Sequence, residues 1–346
     1  MPNPALAPSR GVALPAPLAK ILPGTMLAVM LACAASYVAG RLGGPVMLYA
    51  LLFGMTFNFL LADRACAPGI VFSAKTVLRI GVALLGVRIT IAEVAELGLP
   101  TVALVVAGVT FTILGGAAIG RLFHLKADHA VLSAGAVAIC GASAALAISS
   151  VLPQHKESER NLCLTVVAVT TLSTIAMVLY PAIAQGLGLS DTAAGIFIGA
   201  TIHDVAQVVG AGYMISDVAG ETAAITKLMR VACLVPAVVL IGFAFRKQCA
   251  ATGTSGKRPP LLPLFLVGFI ALMIINSLGI LPAVVTQGVS DASRWCLLIA
   301  VSALGVKTSI KDFIAVGPNP IAVLVAQTLA LAAFGLVGVM LITQAF

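Results

Sequence analysis

The sequence predicts an all-α polytopic membrane protein of about eleven transmembrane helices, and three observations carry that reading. Of 346 residues, 60% are hydrophobic and 9% charged, against roughly 25% charged in a soluble domain. Mean hydropathy is +1.12. Apolar stretches of about 20 residues, the length a bilayer demands, follow one another with only short polar or Pro/Gly-marked breaks. Almost nothing remains to build a soluble domain.

In chain order, residues 1–20 are Pro/Ala-rich without an apolar signal core and read as a flexible cytoplasmic tail. A single membrane domain, 21–345, then divides into spans at 21–39, 45–61, 69–87, 100–121, 129–152, 162–185, 192–214, 222–245, 261–285, 292–310 and 319–343. The longest polar interruption, "RKQCAATGTSGKRPP" at 246–260, reads as a basic cytoplasmic linker. The net charge of +8 does not point to nucleic acid, because Lys and Arg sit in the short loops. Alternation of the spans puts Arg10, Lys20, Arg64, Arg121, Lys126, Arg246, Lys247, Lys257, Arg258, Lys307 and Lys311 on one side, and Arg41, Arg88, Lys156, Arg160 and Arg294 on the other. The positive-inside bias makes the richer side cytoplasmic, with the N-terminus inside and the C-terminus outside. Seven cysteines are scattered without a CxxC pair and indicate neither disulfides nor a metal site.

An internal echo suggests inverted repeats. "LLGVRITIAEVAELG" at 84–98 aligns with "ALGVKTSIKDFIAVG" at 303–317, matching Gly86 to Gly305 and Arg88 to Lys307 at the ends of spans that run in opposite directions. A second echo pairs "AICGASAALA" at 138–147 with "FIGATIHDVA" at 197–206, but these two spans run parallel in the alternating topology, which that symmetry does not accommodate.

The chemistry concentrates in "GATIHDVAQVVGAG" at 199–212. On one continuous helix Gly199, His203, Gln207 and Gly210 share a face, with Asp204 beside it. Ionisable groups facing lipid cost about 2.5–3.5 kcal/mol or more, so this face should line a protein-walled cavity; the bland alternative is a clasp between helices. "CGASAALAISS" at 140–150 complements it: Gly141 weakens the helix, Ala142 and Ser143 let a backbone approach, and a break there would aim a half-helix N-terminus, suited to an anion, into the interior. Basic residues form a third element, Lys75 with Arg79 and Lys227 with Arg230, each pair on one helical face; Arg230 is expected to pair with Asp204 or an anion, and Lys75 and Arg79 read equally well as a structural salt bridge. Thr165, Thr170, Thr171, Ser173 and Thr174 should bond their own helix, its neighbours, or a transport route. "INSLGILP" at 275–282 marks a helix interruption, and His124, His129 and His155 read as solvated. No P-loop, HExxH or nucleophile elbow is present, so the chain reads as a non-enzyme with no cofactor.

At these motifs, together with "LRIGVALLGVRIT" (78–90), "ITKLMRVACLVP" (225–236) and "ALGVK" (303–307), the chain resembles the YeiH-type bacterial inner-membrane proteins, labelled sulfate exporters. The resemblance covers about residues 25–345. It implies a plasma-membrane carrier distantly similar to the bile-acid and sodium/proton-antiporter group, with inverted repeats, a panel and a core domain, and broken helices crossing at mid-membrane.

The expected function is secondary active transport of a small anion, with sulfate, sulfite or an organosulfur anion favoured, as export coupled to a proton or sodium gradient. Cys140, Gly141, Ala142 and Ser143 from one segment, Gly199, Ala200, Thr201, His203, Asp204 and Gln207 from the second, and Lys227 and Arg230 from a third form the expected binding site, with His203 and Asp204 relaying a proton. The lipid bilayer and a second copy of the chain are further candidate partners. A passive anion channel is the alternative, and a membrane sensor or scaffold the third reading.

Overall fold

The structure is a computed structural model that describes residues 16–43, 45–252, 264–308 and 318–345. Most of the expected tail, part of the 246–260 linker and residues 309–317 of the second echo copy lie outside the described residues.

The described chain is helical throughout. It forms α1 (Ala16–Leu42), α2 (Val46–Thr56), α3 (Ala67–Arg88), α4 (Ile91–Glu96), α5 (Gly98–Leu122), α6 (Ala127–Ala138), α7 (Ala142–Ser149), α8 (Ser158–Gly186), α9 (Asp191–Thr201), α10 (Val205–Tyr213), α11 (Asp217–Ala232), α12 (Leu234–Thr252), α13 (Leu264–Ser277), α14 (Ala283–Lys307) and α15 (Pro318–Ala345). Seven stretches are long and apolar enough to cross a membrane, α11 and α12 counting as one, and α2 and α13 are shorter apolar helices. α3 contains a π-helical turn at Ser73–Val77. The interruption expected at 275–282 is present: α13 ends at Ser277, Gly279 takes a positive φ, and α14 begins after Pro282. α14 therefore starts well before residue 292, because Pro282 pre-sets the helical entry and the following polar turns, "TQGVSDASR", continue the helix.

Two of the expected spans, 129–152 and 192–214, are broken, and each turns back on itself. In the first, a side chain at Gly135 of α6 would run into Ile148 of α7, so the two half-helices lie side by side. Their outer ends meet at one face of the bundle, where Lys126 Nζ lies 3.2 Å from Glu157 Oε2 and His155 Nε2 lies 3.9 Å from Asp128 Oδ2. A crossing segment of this length would hold those ends tens of Å apart. In the second, a Cβ on Gly195 of α9 would fall 2.8 Å from Ala219 O, and one on Gly212 of α10 would fall 2.9 Å from the same atom, so residues 195 and 212 flank α11 at one level. Both segments are re-entrant hairpins, which are tolerated at membrane depth when buried in protein. Periodicity could not reveal the reversal, since a hairpin and a broken span have the same apolar length.

α8, 29 residues and roughly 43 Å long, connects the base of the first hairpin to the base of the second. The hairpins therefore enter from opposite faces, and the second echo, 138–147 with 197–206, joins antiparallel elements after all. Lys156 and Arg160 move to the face of Lys126, which sharpens the charge asymmetry between the two faces. Because two spans become hairpins, the far end of the chain stays opposite its start.

Caps define the second hairpin and the helix behind it: Ser190 accepts from Ala193 N–H, Asp204 from Ala206 N–H and Ser216 from Ala219 N–H. At the base of this hairpin an ion-pair cluster ties α3 and α14 to α10 and α11. Arg88 reaches Glu221 at 2.7 Å, Asp217 at 3.5 Å and the Tyr213 hydroxyl at 3.2 Å, while Arg294 donates to both Asp217 oxygens at 2.7 and 2.9 Å.

Candidate functional site

The hairpin tips, 139–141 and 202–204, meet inside the bundle. Gly141 holds φ near 61° and ψ near −119°, a conformation only glycine adopts without strain; a Cβ there would lie 3.7 Å from His203 Cβ. Behind the tips, Lys227 and Arg230 of α11 are buried to 0% and 1% exposure. Lys227 Nζ donates to Ile139 O at 2.6 Å and Ile202 O at 2.8 Å, one carbonyl from each tip. Arg230 donates to Val137 O, Ala138 O, Gly199 O and Ile202 O, at 2.6–3.3 Å. α6 and α9 thus end, with their negative dipole poles, on two buried cations. Arg230 spends all its donors on carbonyls, and no ion pair with Asp204 forms among the described residues.

His203 is held at both ring nitrogens, Nδ1 3.1 Å from Val137 O and Nε2 3.0 Å from Thr328 Oγ1 on α15. A carbonyl only accepts, so Nδ1 carries a proton. Thr201 donates to its own helix at Phe197 O, 2.6 Å, and Gly199 presses against Ala223 and Thr226 of α11. The break at Ile202–Asp204 removes the single helical face expected for Gly199, His203, Gln207 and Gly210: His203 turns to the α15 side and Gln207 to α8. His129, read as solvated, is buried to 7% exposure beneath Thr165, 3.5 Å away.

On the other side of the tips lies a cavity of about 440 Å³. Cys140, Ala142, Ser143, Asp204 and Gln207 line it, as do Lys75 and Arg79 of α3, Lys307 at the end of α14, and Thr170, Thr171 and Thr174 of α8. Of the expected site residues, Gly141, Gly199, Ala200, Thr201, His203, Lys227 and Arg230 are not in its lining. They form the tips and the layer behind them. The cavity receives Ala142 and Ser143 of the first turn of α7, whose cap Gly141 offers no side chain, so the positive end of that half-helix faces it. Lys75 and Arg79 lie there without the salt bridge that their spacing allowed: among the described residues neither they nor Lys307 has an ion-pair partner. Lys307 was missed as a site residue; its signal was the echo that aligns it with Arg88, which marks a span end but not a cavity.

Two opposed re-entrant hairpins, clamped at their tips and facing a partly open cavity that mixes apolar and charged side chains, define a multi-pass helical membrane protein. The chain belongs to the family described as Conserved hypothetical protein 698, whose model matches residues 23–324. It is 48% identical over 334 residues to the UPF0324 membrane protein TauZ of Paracoccus denitrificans, covering 96% of this chain and 97% of that one. It is 48% identical over 314 residues to the UPF0324 membrane protein CT0845 of Chlorobaculum tepidum (90% and 87%) and 47% identical over 316 residues to RB0971 of Rhizobium meliloti (91% and 92%). These relatives agree with the YeiH-type resemblance of the motifs. No solved structure matches the chain.

Proposed function

We propose that the protein is a secondary active transporter that binds a small anion in this cavity and exports it across the bacterial inner membrane, with the face of Lys20, Arg64, Arg121, Lys126, Lys156, Arg160, Arg246 and Lys247 cytoplasmic. The observation that carries the reading is the set of cations: Lys75, Arg79 and Lys307 line one cavity together with Ala142 and Ser143 of the first turn of α7. Cations within apolar helices are uncommon, and their clustering around a cavity is the mark of a ligand or ion route. Sulfate, sulfite and organosulfur anions fit the size and charge. Lys227, Arg230 and His203 serve the site indirectly, by fixing the tips, and Asp204, the carboxylate in the cavity lining among the described residues, responds to a coupling proton or sodium ion.

The test is ligand stabilisation of purified protein with sulfate, sulfite, thiosulfate and carboxylates, since a ligand at 100 times its Kd adds about 2.7 kcal/mol. At least one anion should raise the melting temperature in the parent and not in Lys307→Gln. Counterflow in proteoliposomes then separates a carrier, which shows trans-stimulation, from a channel, which does not. No stabilisation by any anion refutes the reading.

A further inference from the structure

Besides its cations the cavity lining carries a set of hydrogen-bond acceptors, and they narrow the substrate class. Thr170 Oγ1 donates to Val166 O at 2.8 Å or Val167 O at 2.9 Å, Thr171 Oγ1 to Val167 O at 3.0 Å, and Thr174 Oγ1 to Thr170 O at 3.1 Å. Each hydroxyl proton is thus committed to the carbonyls of α8, and what these side chains can still offer is oxygen lone pairs. Thr174 spends its own on Gln207 Nε2, 3.2 Å away, which fixes the amide so that Gln207 Oε1 is the remaining atom; that oxygen is buried and has no partner. Asp204 uses Oδ1 to cap α10 at Ala206 N–H, 3.2 Å, and forms no ion pair among the described residues. Thr170, Thr171, Gln207 and Asp204 all line the cavity and all present acceptors; a bare anion has nothing to give them.

Resting on the anion reading above, we infer that the occupant is a compact zwitterion, with a sulfonate or carboxylate toward Lys75, Arg79 and Lys307 and an ammonium group toward Asp204, Gln207 and α8. An ammonium carries three donors, enough to satisfy the Gln207 oxygen, the Asp204 carboxylate and a threonine oxygen together. A buried acceptor left without a donor penalises every ligand that lacks one, and sites built this way reject the analogue missing the group far more strongly than apolar pockets reject a missing methylene.

The experiment is isothermal titration or thermal shift of the full-length purified protein with four probes: 2-aminoethanesulfonate, ethanesulfonate, ethylammonium and sulfate, each in sodium and in choline buffer. The expected result is that 2-aminoethanesulfonate binds at least about tenfold more tightly than either half-molecule analogue in both buffers, and that Asp204→Asn or Gln207→Leu closes the gap to ethanesulfonate. Comparing ligands on the unaltered protein keeps the test intact if a variant fails to fold. Equal or tighter binding of ethanesulfonate or sulfate overturns the zwitterion and leaves the anion reading standing. So does ethanesulfonate matching the zwitterion in sodium alone, because the acceptors then belong to a separate cation. Binding of no anionic or zwitterionic probe refutes the anion reading itself.

Discussion

Replacing Arg230 with methionine is the sharpest test of how the hairpin tips are held. The side chain is 1% exposed and donates to four carbonyls, with two bonds to Ala138 O alone, at 3.0 and 2.6 Å. Methionine keeps most of the volume and removes every donor. Hydrogen bonds to a charged group contribute about 1.5–3 kcal/mol each, and an orphaned buried acceptor costs about 1–3 kcal/mol. Against this stands the cost of burying the guanidinium, which the variant no longer bears, so the net loss is that of breaking a buried ionic network, about 3–5 kcal/mol. In detergent this should lower the melting temperature by roughly 10 °C, given about 2–4 °C per kcal/mol for domains of 150–250 residues. Lys227→Met removes two bonds where Arg230→Met removes five, and should cost less; Arg230→Lys keeps the charge without the fork and should fall between parent and Arg230→Met. The assay is thermal unfolding by intrinsic fluorescence, with the soluble monodisperse fraction measured after heating. An Arg230→Met protein that melts within about 2 °C of the parent refutes the claim that this side chain clamps the tips.

Cysteines placed at Lys126 and Glu157 in a cysteine-free background should both react with a membrane-impermeant maleimide from one side of the membrane and crosslink to each other; labelling from opposite sides would show that 127–152 crosses. Gly195→Leu should destabilise by about 1–3 kcal/mol through overpacking, because even a Cβ there sits 2.6 Å from Thr222 Cβ and 2.8 Å from Ala219 O; unchanged thermal stability would deny the close approach of α9 to α11. Glu221→Arg should weaken the Arg88 cluster, and the swap Arg88→Glu with Glu221→Arg should restore part of the loss in a double-mutant cycle; full additivity would mean the 2.7 Å pair contributes nothing.

Much of this molecule could be read from its residues. The helical, membrane-spanning class follows from apolar length, and the residues at 140–143 and 199–207 do mark the two places where helices break and meet. What stayed hidden was relative direction. The apolar run 129–152 has the same hydropathy whether it crosses or doubles back, and the decisive contacts, Gly135 against Ile148 and Lys126 against Glu157, are tertiary. Lys227 and Arg230 show the same limit for chemistry: a buried cation in a sequence announces that it has a partner, but a carboxylate, a transported anion and a row of helix-end carbonyls satisfy it alike. Lys75 and Arg79 carried the converse ambiguity, with a salt bridge and a ligand site equally compatible with their spacing.

The arrangement of α11 has a mechanical corollary. One helix grips both tips through side chains three residues apart, so withdrawing either hairpin leaves Lys227 and Arg230 with unsatisfied donors. If the protein transports as proposed, a rearrangement that opens the cavity to the other face would move the remaining lining helices, α3 and α14 among them, relative to this pair of hairpins. The Arg88 and Arg294 ion pairs, which join α3 and α14 to α10 and α11, would then have to break or exchange partners.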